Sequence, residues 1–245
     1  MIIIGGGVSI GDGISVIPER PTTIGQAFGG GYYAGLFNAN ADGSGIPTHY
    51  LIVAPKETGE MVDVPWSVVN TYYGASSYSD GPNNTSSIMA NSVMTLEAPA
   101  ALFCGDTCNQ NGGIGGFTDW YMPALYELDV IYYFLKPNTT PNFTRGGVGD
   151  NPCAVAPQPI NTYYTSGDPA VTSAGLFTQI SGNQYFIPVN WEFPNQYASS
   201  TEYGQANPEY VKTVDFSNGA EGNGFKLFEG LPSLYNVRAI RRIPV

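Results

Sequence analysis

The chain has 245 residues, of which only 12% are charged, and a formal net charge of −11. This argues against nucleic-acid binding, because a phosphate-binding surface needs clustered Lys and Arg, and the basic cluster of this sequence is limited to Arg238, Arg241 and Arg242. No window approaches the roughly 20 apolar residues of a membrane span. The hydrophobic content of 42% is enough for a core, and the length allows one large domain or two small ones.

A short internal repeat occupies the first 17 residues, with the form Ile-Gly-x-Gly-β-Ser-β, where β is a β-branched residue. It occurs at 4–10 and again at 10–16. Alternating β-branched residues favour a strand. Because so short a segment cannot bury its own apolar face, we expect residues 1–17 to pair with another chain; a loosely packed terminus is the alternative. We therefore predict a Gly-rich β anchor and linker over 1–23 and one domain over 24–245.

The first third of the predicted domain combines a hairpin with a helix. Strands at 32–37 and 48–54 flank a turn rich in Gly and Asn, and a core tryptophan is expected shortly after them at position 66. Farther along, Asn84 or Thr85 is expected to cap a helix that runs to about residue 103 and is interrupted by Pro99.

The strongest helix signal lies between residues 115 and 135. Pro123 suits a first helical turn, where its missing N–H loses no bond, and Glu127 and Asp129 supply the acidic charge that the helix dipole favours there. Apolar side chains at a 3,4,3 spacing would form one buried face: Leu125, Leu128, Tyr132 and Leu135. The helix should end at Lys136, because the next residue is a proline.

The rest of the chain is predicted to consist of loops and short strands. Residues 137–170 form a long excursion rich in Pro and Asn, and loops of that length are usually functional or braced by neighbours. Beyond it, we predict a short helix over 170–180 and strands over 184–189, 210–216, 224–228 and 235–243.

The cysteines and aspartates leave two questions open. The odd set of Cys104, Cys108 and Cys153 excludes a fully paired framework, so a disulfide from Cys153 to one of the others and three free thiols are both possible. A calcium site would have to draw on separated aspartates: Asp80, Asp106, Asp150 and Asp168. No loop shows the dense carboxylate spacing of such a site, and we predict no metal or cofactor.

Several segments, taken in order, resemble one protein family. Residues 116–128, Gly-Phe-Thr-Asp-Trp-Tyr-Met-Pro-Ala-Leu-Tyr-Glu-Leu, are similar to its G-F-x-D-W-R-L-P-T-x-x-E-L signature. Residues 199–203, 216–219 and 237–241 are similar to its W-S-S-T-E, F-x-x-G and V-R-A-V-R segments. From about residue 25 to 243 the chain thus resembles the Lcl C-terminal domain family. The resemblance implies an α+β fold of the C-type-lectin-like kind with long ordered loops.

The family likeness implies mostly structural roles for the charged and large residues of these segments: Trp120, Pro123, Glu127, Glu202, Arg238 and Arg241. The sequence departs from the family at Tyr121, which replaces Arg, and at Ala198, which replaces Trp. Because buried charges need partners, we expect Glu202 to form an internal ion pair with Arg238 or Arg241. Glu202 as a catalytic acid is the alternative, but no His or second carboxylate is placed to assist it. Formylglycine-generating enzymes share the family's fold but use a C-terminal cysteine pair, which is lacking here, so we predict no enzymatic activity.

The resemblance and the low-charge loops rich in Tyr, Asn, Ser and Gly together predict a bacteriophage virion protein. We expect a tail-fibre or tail-tip adhesin that binds a host-surface glycan or protein, forms a homo-oligomer and contacts other virion proteins through residues 1–17. The candidate binding side chains are aromatic: Trp191, Tyr197 and Tyr203 first, then Tyr72, Tyr73 and Tyr78. Trp191 as a plain core residue is the alternative. A capsid or tail decoration protein is the second hypothesis, and a formylglycine-generating-like enzyme is the weaker third.

Overall fold

The structure, a computed structural model, describes residues 19–92, 96–145, 148–188 and 196–245. The predicted β anchor at 1–17 and the candidate Trp191 lie outside these residues. The described part mixes helices and sheets, which confirms the predicted α+β class. Within it, no helix is long and apolar enough to cross a membrane.

Strands dominate the secondary structure. In chain order they are β1 Ala27–Phe28, β2 Gly31–Phe37, β3 His49–Val53, β4 Glu60–Pro65, β5 Tyr197–Glu202, β6 Tyr210–Val214, β7 Glu221–Phe225, β8 Leu227–Phe228, β9 Leu231–Pro232, β10 Leu234–Arg238 and β11 Ile240–Pro244. The α-helices of the described residues are α1 Lys56–Gly59, α2 Gly81–Asn91, α3 Pro99–Gly105 and α4 Leu125–Leu135. Turns of 3-10 helix lie at Thr107–Gly112, Ile114–Gly116 and Gly175–Phe177.

The strands form two larger sheets and one small hairpin. The first sheet has the order β1-β2-β3-β11 and the second the order β4-β10-β5-β6-β7, while β8 pairs with β9. All of these pairs are antiparallel except β5 with β10, which run parallel. The predicted hairpin is confirmed as β2 and β3. The parallel pair joins chain segments almost 40 positions apart, and it places β10 between β4 and β5 in the second sheet.

Both faces of the first sheet are covered. On β2, Tyr33 packs into one hydrophobic core and its neighbour Ala34 into another. On β3, Ile52 belongs to the first core, whereas Leu51 and Val53 belong to the second. This division follows from the geometry of a strand, in which successive side chains point to opposite faces. The first core surrounds the two buried tryptophans at positions 66 and 120, and the second surrounds α4.

The central helix largely confirms its prediction. Its four predicted face residues are all buried, and it ends at Leu135 as expected. It begins at Leu125 instead of Pro123, because the chain is still extended at Ala124. The Glu127 carboxylate turns back to accept the backbone N–H of Ala124 at 2.8 Å, which satisfies one of the free donors at the helix start.

The predicted helix from residue 84 to 103 is wrong. Two separate helices, α2 and α3, take its place, and the cap of α2 is Asp80, whose side chain accepts the backbone N–H of Asn83. Pro99 begins α3 instead of interrupting a longer helix, which is where a residue without a backbone N–H is best tolerated.

Two predictions in the segment after the long loop are also wrong. The helix expected over 170–180 is reduced to the 3-10 turn Gly175–Phe177, and residues 184–188 form no strand. The backbone carbonyl of Gln184 instead accepts a hydrogen bond from Arg238 Nη1 at 2.6 Å. This carbonyl thus has a side-chain partner in place of a strand partner.

The loop over 137–170 contains no helix or strand in its described residues, as predicted, and is braced from within. Asn142 is buried and donates to the carbonyls of Thr165, at 3.0 Å, and Pro169, at 2.8 Å. Its own amide oxygen accepts from Lys136 Nζ at 2.7 Å. These bonds join both ends of the loop to the end of α4 and substitute for regular secondary structure.

All three cysteines are buried and free. Cys104 and Cys108 belong to the first core and Cys153 to the second, so the alternative of a disulfide from Cys153 is wrong. Burial raises the pKa of Cys108 and of Cys153 to about 12, and raises the pKa of Cys104 well above its usual value.

We therefore expect the thiols of the folded protein to resist alkylation. At pH 8 a thiol with a pKa of about 12 is ionised to about one part in 10⁴, against about one in four for an unperturbed cysteine, and only the thiolate reacts. Iodoacetamide followed by mass spectrometry should leave the native protein unmodified and label all three cysteines in guanidinium chloride. Rapid labelling of the native protein would contradict the burial of these side chains.

Candidate binding surface

The tyrosines predicted to bind a ligand divide into buried and accessible residues. Tyr197 is fully buried, and its hydroxyl donates to Glu60 Oε2 at 2.8 Å. Tyr73 is also buried, within hydrogen-bond distance of Ser67 Oγ at 3.0 Å. A ring enclosed in a core presents no face to a ligand, so the structure contradicts both assignments. Tyr72 is partly exposed.

Tyr203 and Tyr78, the remaining two predicted tyrosines, meet at the surface around one lysine. Lys212 Nζ lies 4.8 Å from the ring centre of Tyr203 and 5.6 Å from that of Tyr78. Both distances suit a cation–π interaction. Tyr78 also packs against Tyr126, with ring centres 5.4 Å apart. Tyr78 precedes Tyr203 and Lys212 by more than 100 positions in the chain, and the fold brings the three together.

From Tyr203 a continuous row of rings crosses the outer part of the second sheet. The ring centres of Tyr203 and Tyr210 are 6.1 Å apart, those of Tyr210 and Phe225 are 4.6 Å apart, and those of Phe225 and Phe228 are 5.7 Å apart. Tyr203 is 44% exposed and Phe228 is 58% exposed. We call Tyr78, Tyr203, Tyr210, Phe225 and Phe228 the aromatic strip.

The pairing of β6 with β7 explains how the strip forms. Tyr210 is paired with Phe225, and Lys212 with Asn223. Since side chains alternate along a strand, these four share one face, while Val211, between Tyr210 and Lys212, points into the first core. Opposite residues on paired strands are close enough for their side chains to pack.

A shallow cavity of about 360 Å³ continues the strip at its far end. Phe225 and Phe228 line one side, and Leu231, Pro232 and Leu234 from the β8–β9 hairpin and the start of β10 line the other. Leu231 is 71% exposed. The cavity therefore adds an apolar recess to the row of rings.

The polar groups beside the strip are few and fixed. Lys212 Nζ donates to Asn223 Oδ1 at 2.8 Å, and partial burial lowers the pKa of Lys212. Burial also raises the pKa of Glu221, on the same edge strand β7, while a hydrogen bond from the backbone of Gly149 acts in the opposite direction. The surface thus offers aromatic faces with one amide, one amine and one carboxyl at their margin, a combination suited to binding.

The predicted ion pair is wrong in its partners. Glu202 pairs with Lys226, with Nζ 2.5 Å from Oε1, and both side chains are fully buried. Arg238 lies instead beside Glu60, at 3.7 Å. In the parallel pairing of β5 with β10, Tyr197 lies opposite Asn236. Continued along the strands, this register leaves Arg238 about three residues, or about 10 Å, short of Glu202.

Arg241, the other predicted partner of Glu202, binds Asp119 through two hydrogen bonds of 2.7 and 2.9 Å. The structural roles predicted for Trp120 and Glu127 agree with their burial. Glu127 accepts from the Tyr121 hydroxyl at 2.5 Å and from Arg242 Nε at 2.7 Å. Tyr121 thus joins a buried charge network.

Three of the four aspartates considered for calcium have separate roles. Asp80 caps α2, Asp106 accepts from Gln110 Nε2 at 2.8 Å, and Asp168 accepts from the Tyr133 hydroxyl at 3.2 Å. Among the described residues, no group of three or more His, Cys, Asp or Glu side chains is placed to hold a metal ion.

Sequence reasoning missed three members of the strip, Tyr210, Phe225 and Phe228, and the polar residues Lys212 and Asn223 beside it. For all of these except Phe228, the signal is a spacing of two positions, from Tyr210 to Lys212 and from Asn223 to Phe225, on strands that pair with each other. Positions two apart lie on one face of a strand.

Comparison with known proteins leaves this surface to be interpreted from its own residues. No protein-family model, curated protein or solved structure matched the chain.

Proposed function

We propose that this chain is the attachment domain of a bacteriophage tail fibre or tail tip, and that its aromatic strip binds a glycan or protein on the host surface. The observation that carries the proposal is the strip itself. Monomeric proteins rarely leave large contiguous apolar patches in water, and those that they do leave are often interaction sites. Aromatic rings that also present polar margins favour recognition of a partner with mixed apolar and polar groups.

Two further features support this proposal. The resemblance to the Lcl C-terminal domain family connects the chain with phage tail proteins and bacterial adhesins, and with a C-type-lectin-like fold. The acidic, weakly charged composition suits a surface that recognises its target by shape and hydrogen bonds. In the virion, residues 1–17 would join the domain to other virion proteins, and several copies would act together.

A multivalent binding assay tests the proposal. Beads that display many copies of the chain should bind bacterial cells of a permissive strain, because linked copies raise the effective concentration. We expect Tyr203→Ala and Tyr210→Ala each to weaken monomer binding by about tenfold, the effect of losing about 1.4 kcal/mol at a binding hot spot. Binding should change little with salt, since few charges take part.

Tyr163→Ala is the matched control, because Tyr163 is 56% exposed, lies on the long loop and is not one of the strip residues. Periodate treatment of the cells would remove a glycan target, and protease treatment a protein target. Binding that survives both strip substitutions would discard this surface. Absence of binding to any permissive cell, with the protein spread evenly over the particle, would favour a decoration protein.

A further inference from the structure

A second concave site lies apart from the aromatic strip, between α2 and the loop that precedes Tyr121. It is an open groove of about 680 Å³. Ser86 and Met89 of α2 form one wall, Thr118 and Asp119 form the other, and Arg242 lies at its base. These residues come from three distant parts of the chain, and two of them belong to the segment 116–128.

The carboxylate of Asp119 is held in a fixed orientation. Arg241 Nε donates to Oδ1 at 2.7 Å and Arg241 Nη2 to Oδ2 at 2.9 Å, while the guanidinium stacks over Phe117 at 3.8 Å from the ring centre. The Asp119 side chain is nevertheless 53% exposed. Such a two-pronged bond uses one acceptor position on each oxygen and leaves another free. The groove therefore contains two adjacent, pre-oriented acceptors.

Two residues with hydroxyl groups, Ser86 and Thr118, line the groove. Ser86 and Thr118 are both exposed, and within the described residues neither hydroxyl is hydrogen bonded to another protein group. Each can donate or accept. Together with Asp119, they offer hydrogen bonds to a ligand that carries several hydroxyls.

Arg242 supplies a donor at the base of the groove. Its Nε is bound to Glu127 at 2.7 Å, and its Nη2 donates to the backbone carbonyl of Ser79. Its Nη1 lies 3.8 Å from Asp80 Oδ1, which is too long for a hydrogen bond. Among the residues that the structure describes, the N–H groups of Nη1 have no hydrogen-bond acceptor, so they can donate to a ligand.

The charges exclude several ligand classes. The Asp80 and Asp119 carboxylates repel phosphates and other anions. Their negative charges are already balanced by the guanidinium groups of Arg242 and Arg241, and these positive groups would repel a metal cation. Met89 is exposed and gives the groove an apolar wall. A neutral ring with hydroxyls at its edge and C–H groups on its face matches all of these features.

We propose that this groove binds one sugar ring, through two neighbouring hydroxyls that donate to the two oxygens of Asp119. Thr118 and Ser86 bond further hydroxyls, and Met89 packs against the C–H face of the ring. The site is independent of the aromatic strip and does not depend on attachment to a host.

Nitrogen-15 NMR of the whole chain tests this proposal with a panel of methyl glycosides of hexoses, deoxyhexoses and N-acetylhexosamines. At least one glycoside should shift the backbone signals of Thr118 and Asp119 and the indole signal of Trp120. Cyclohexanol, a ring without a diol, should not. Thr118→Val combined with Ser86→Ala should weaken binding by about tenfold, as expected for the loss of hydrogen bonds in a site of this kind.

Asp119→Asn should abolish the shifts. Because this variant also loses its bonds to Arg241 and could unfold, the double variant at Thr118 and Ser86, which alters only exposed hydroxyls, tests the same site without that risk. Tyr203→Ala on the strip is the control and should leave sugar binding unchanged. The proposal is overturned if no glycoside shifts the groove signals, or if cyclohexanol shifts them equally. Cell binding by beads tests the proposed function of the strip, whereas the NMR signals test sugar binding in the groove. Either proposal can therefore fail without the other.

Discussion

Replacing Glu202 with Gln is expected to lower the free energy of unfolding by about 3–5 kcal/mol, and the midpoint of thermal unfolding by about 6–20 °C. The side chains of Glu202 and Lys226 are fully buried, and Lys226 Nζ lies 2.5 Å from Glu202 Oε1. The carboxylate also accepts the backbone N–H groups of Tyr73 and Ala75. Glutamine keeps an acceptor for those groups but leaves the ammonium of Lys226 without its counter-ion, and an uncompensated buried charge is costly.

The surroundings of Lys226 allow the cause to be checked by pH. Burial lowers the pKa of Lys226, and Glu202 opposes that shift. Without Glu202 the folded pKa should fall further below the value of about 10.4 in the unfolded chain. A lysine with a depressed folded pKa destabilises the protein below the unfolded pKa, since the unfolded chain then binds the extra proton. The loss in Glu202→Gln should therefore shrink as the pH rises toward 10.

Two companion variants isolate the buried charge. Lys226→Met in the Glu202→Gln background removes both charges and should recover most of the lost stability. Asp80→Asn breaks the half-exposed contact of Asp80 with Arg242 but keeps a good helix cap, so it should cost less than about 1 kcal/mol. If urea titration places Glu202→Gln within 1 kcal/mol of the parent, the buried pair is not formed in solution.

Local patterns predicted the elements whose burial is periodic. The spacing of Leu125, Leu128, Tyr132 and Leu135 identifies α4 because a helix repeats every 3.6 residues and one side of it must meet a core. The first hairpin, β2 and β3, was predicted from another local signal, a turn rich in Gly and Asn between two strand segments. Such signals reside within a dozen residues, so the rest of the fold is not needed to detect them.

Strand β5 shows where local patterns fail. Its sequence, Tyr-Ala-Ser-Ser-Thr-Glu, suggests an exposed strand, yet all six residues are buried. The polar groups are satisfied by distant partners: Ser199 Oγ donates to the carbonyl of Lys212, and Thr201 Oγ1 donates to that of Ser77, both at 2.9 Å. These partners depend on tertiary packing, so Tyr197 could not be distinguished in advance from the accessible Tyr203 by residue type alone.

The candidate sites depend on the same long-range packing. The aromatic strip requires the register of β6 against β7, and the groove requires Arg241 and Arg242 to reach the loop of Asp119 from the other end of the chain. The sequence of the segment 116–128 resembles a family signature, and that resemblance implied structural roles for its residues. Which of its side chains remain accessible could be decided only after the C-terminal strand had been placed.

Replacing Asp129 with Asn is expected to stabilise the protein increasingly as the pH rises from about 5 to 7. Asp129 lies on α4, fully buried, and within the described residues neither of its carboxylate oxygens has a hydrogen-bond partner. Burial raises the pKa of Asp129 well above its usual value, and the nearby Glu221 raises it further. Tyr126 and Tyr164 also face this carboxyl, and neither carries a compensating positive charge.

The direction of the effect follows from proton binding. When the folded pKa of an acid lies above its unfolded value of about 3.9, the folded state holds a proton that the unfolded chain releases. Stability contributed by Asp129 is then complete below about pH 4 and is lost as the pH rises toward the folded pKa, by about 1.4 kcal/mol per pH unit. Asparagine is neutral throughout, so the variant should gain by up to this amount per unit relative to the parent.

Urea titrations of the parent and of Asp129→Asn at pH 5, 6 and 7 measure the difference in their free energies of unfolding. The pH dependence of the other acidic groups cancels in this difference, which matters for a chain of net charge −11. Asp63→Asn is the matched control: Asp63 is exposed, and its positive φ of 52° is a conformation that asparagine adopts readily. Its offset from the parent should stay constant across the three pH values. A constant offset for Asp129→Asn as well would mean that Asp129 is ionised in the folded protein, and that a cation or solvent reaches the space between α4 and β7.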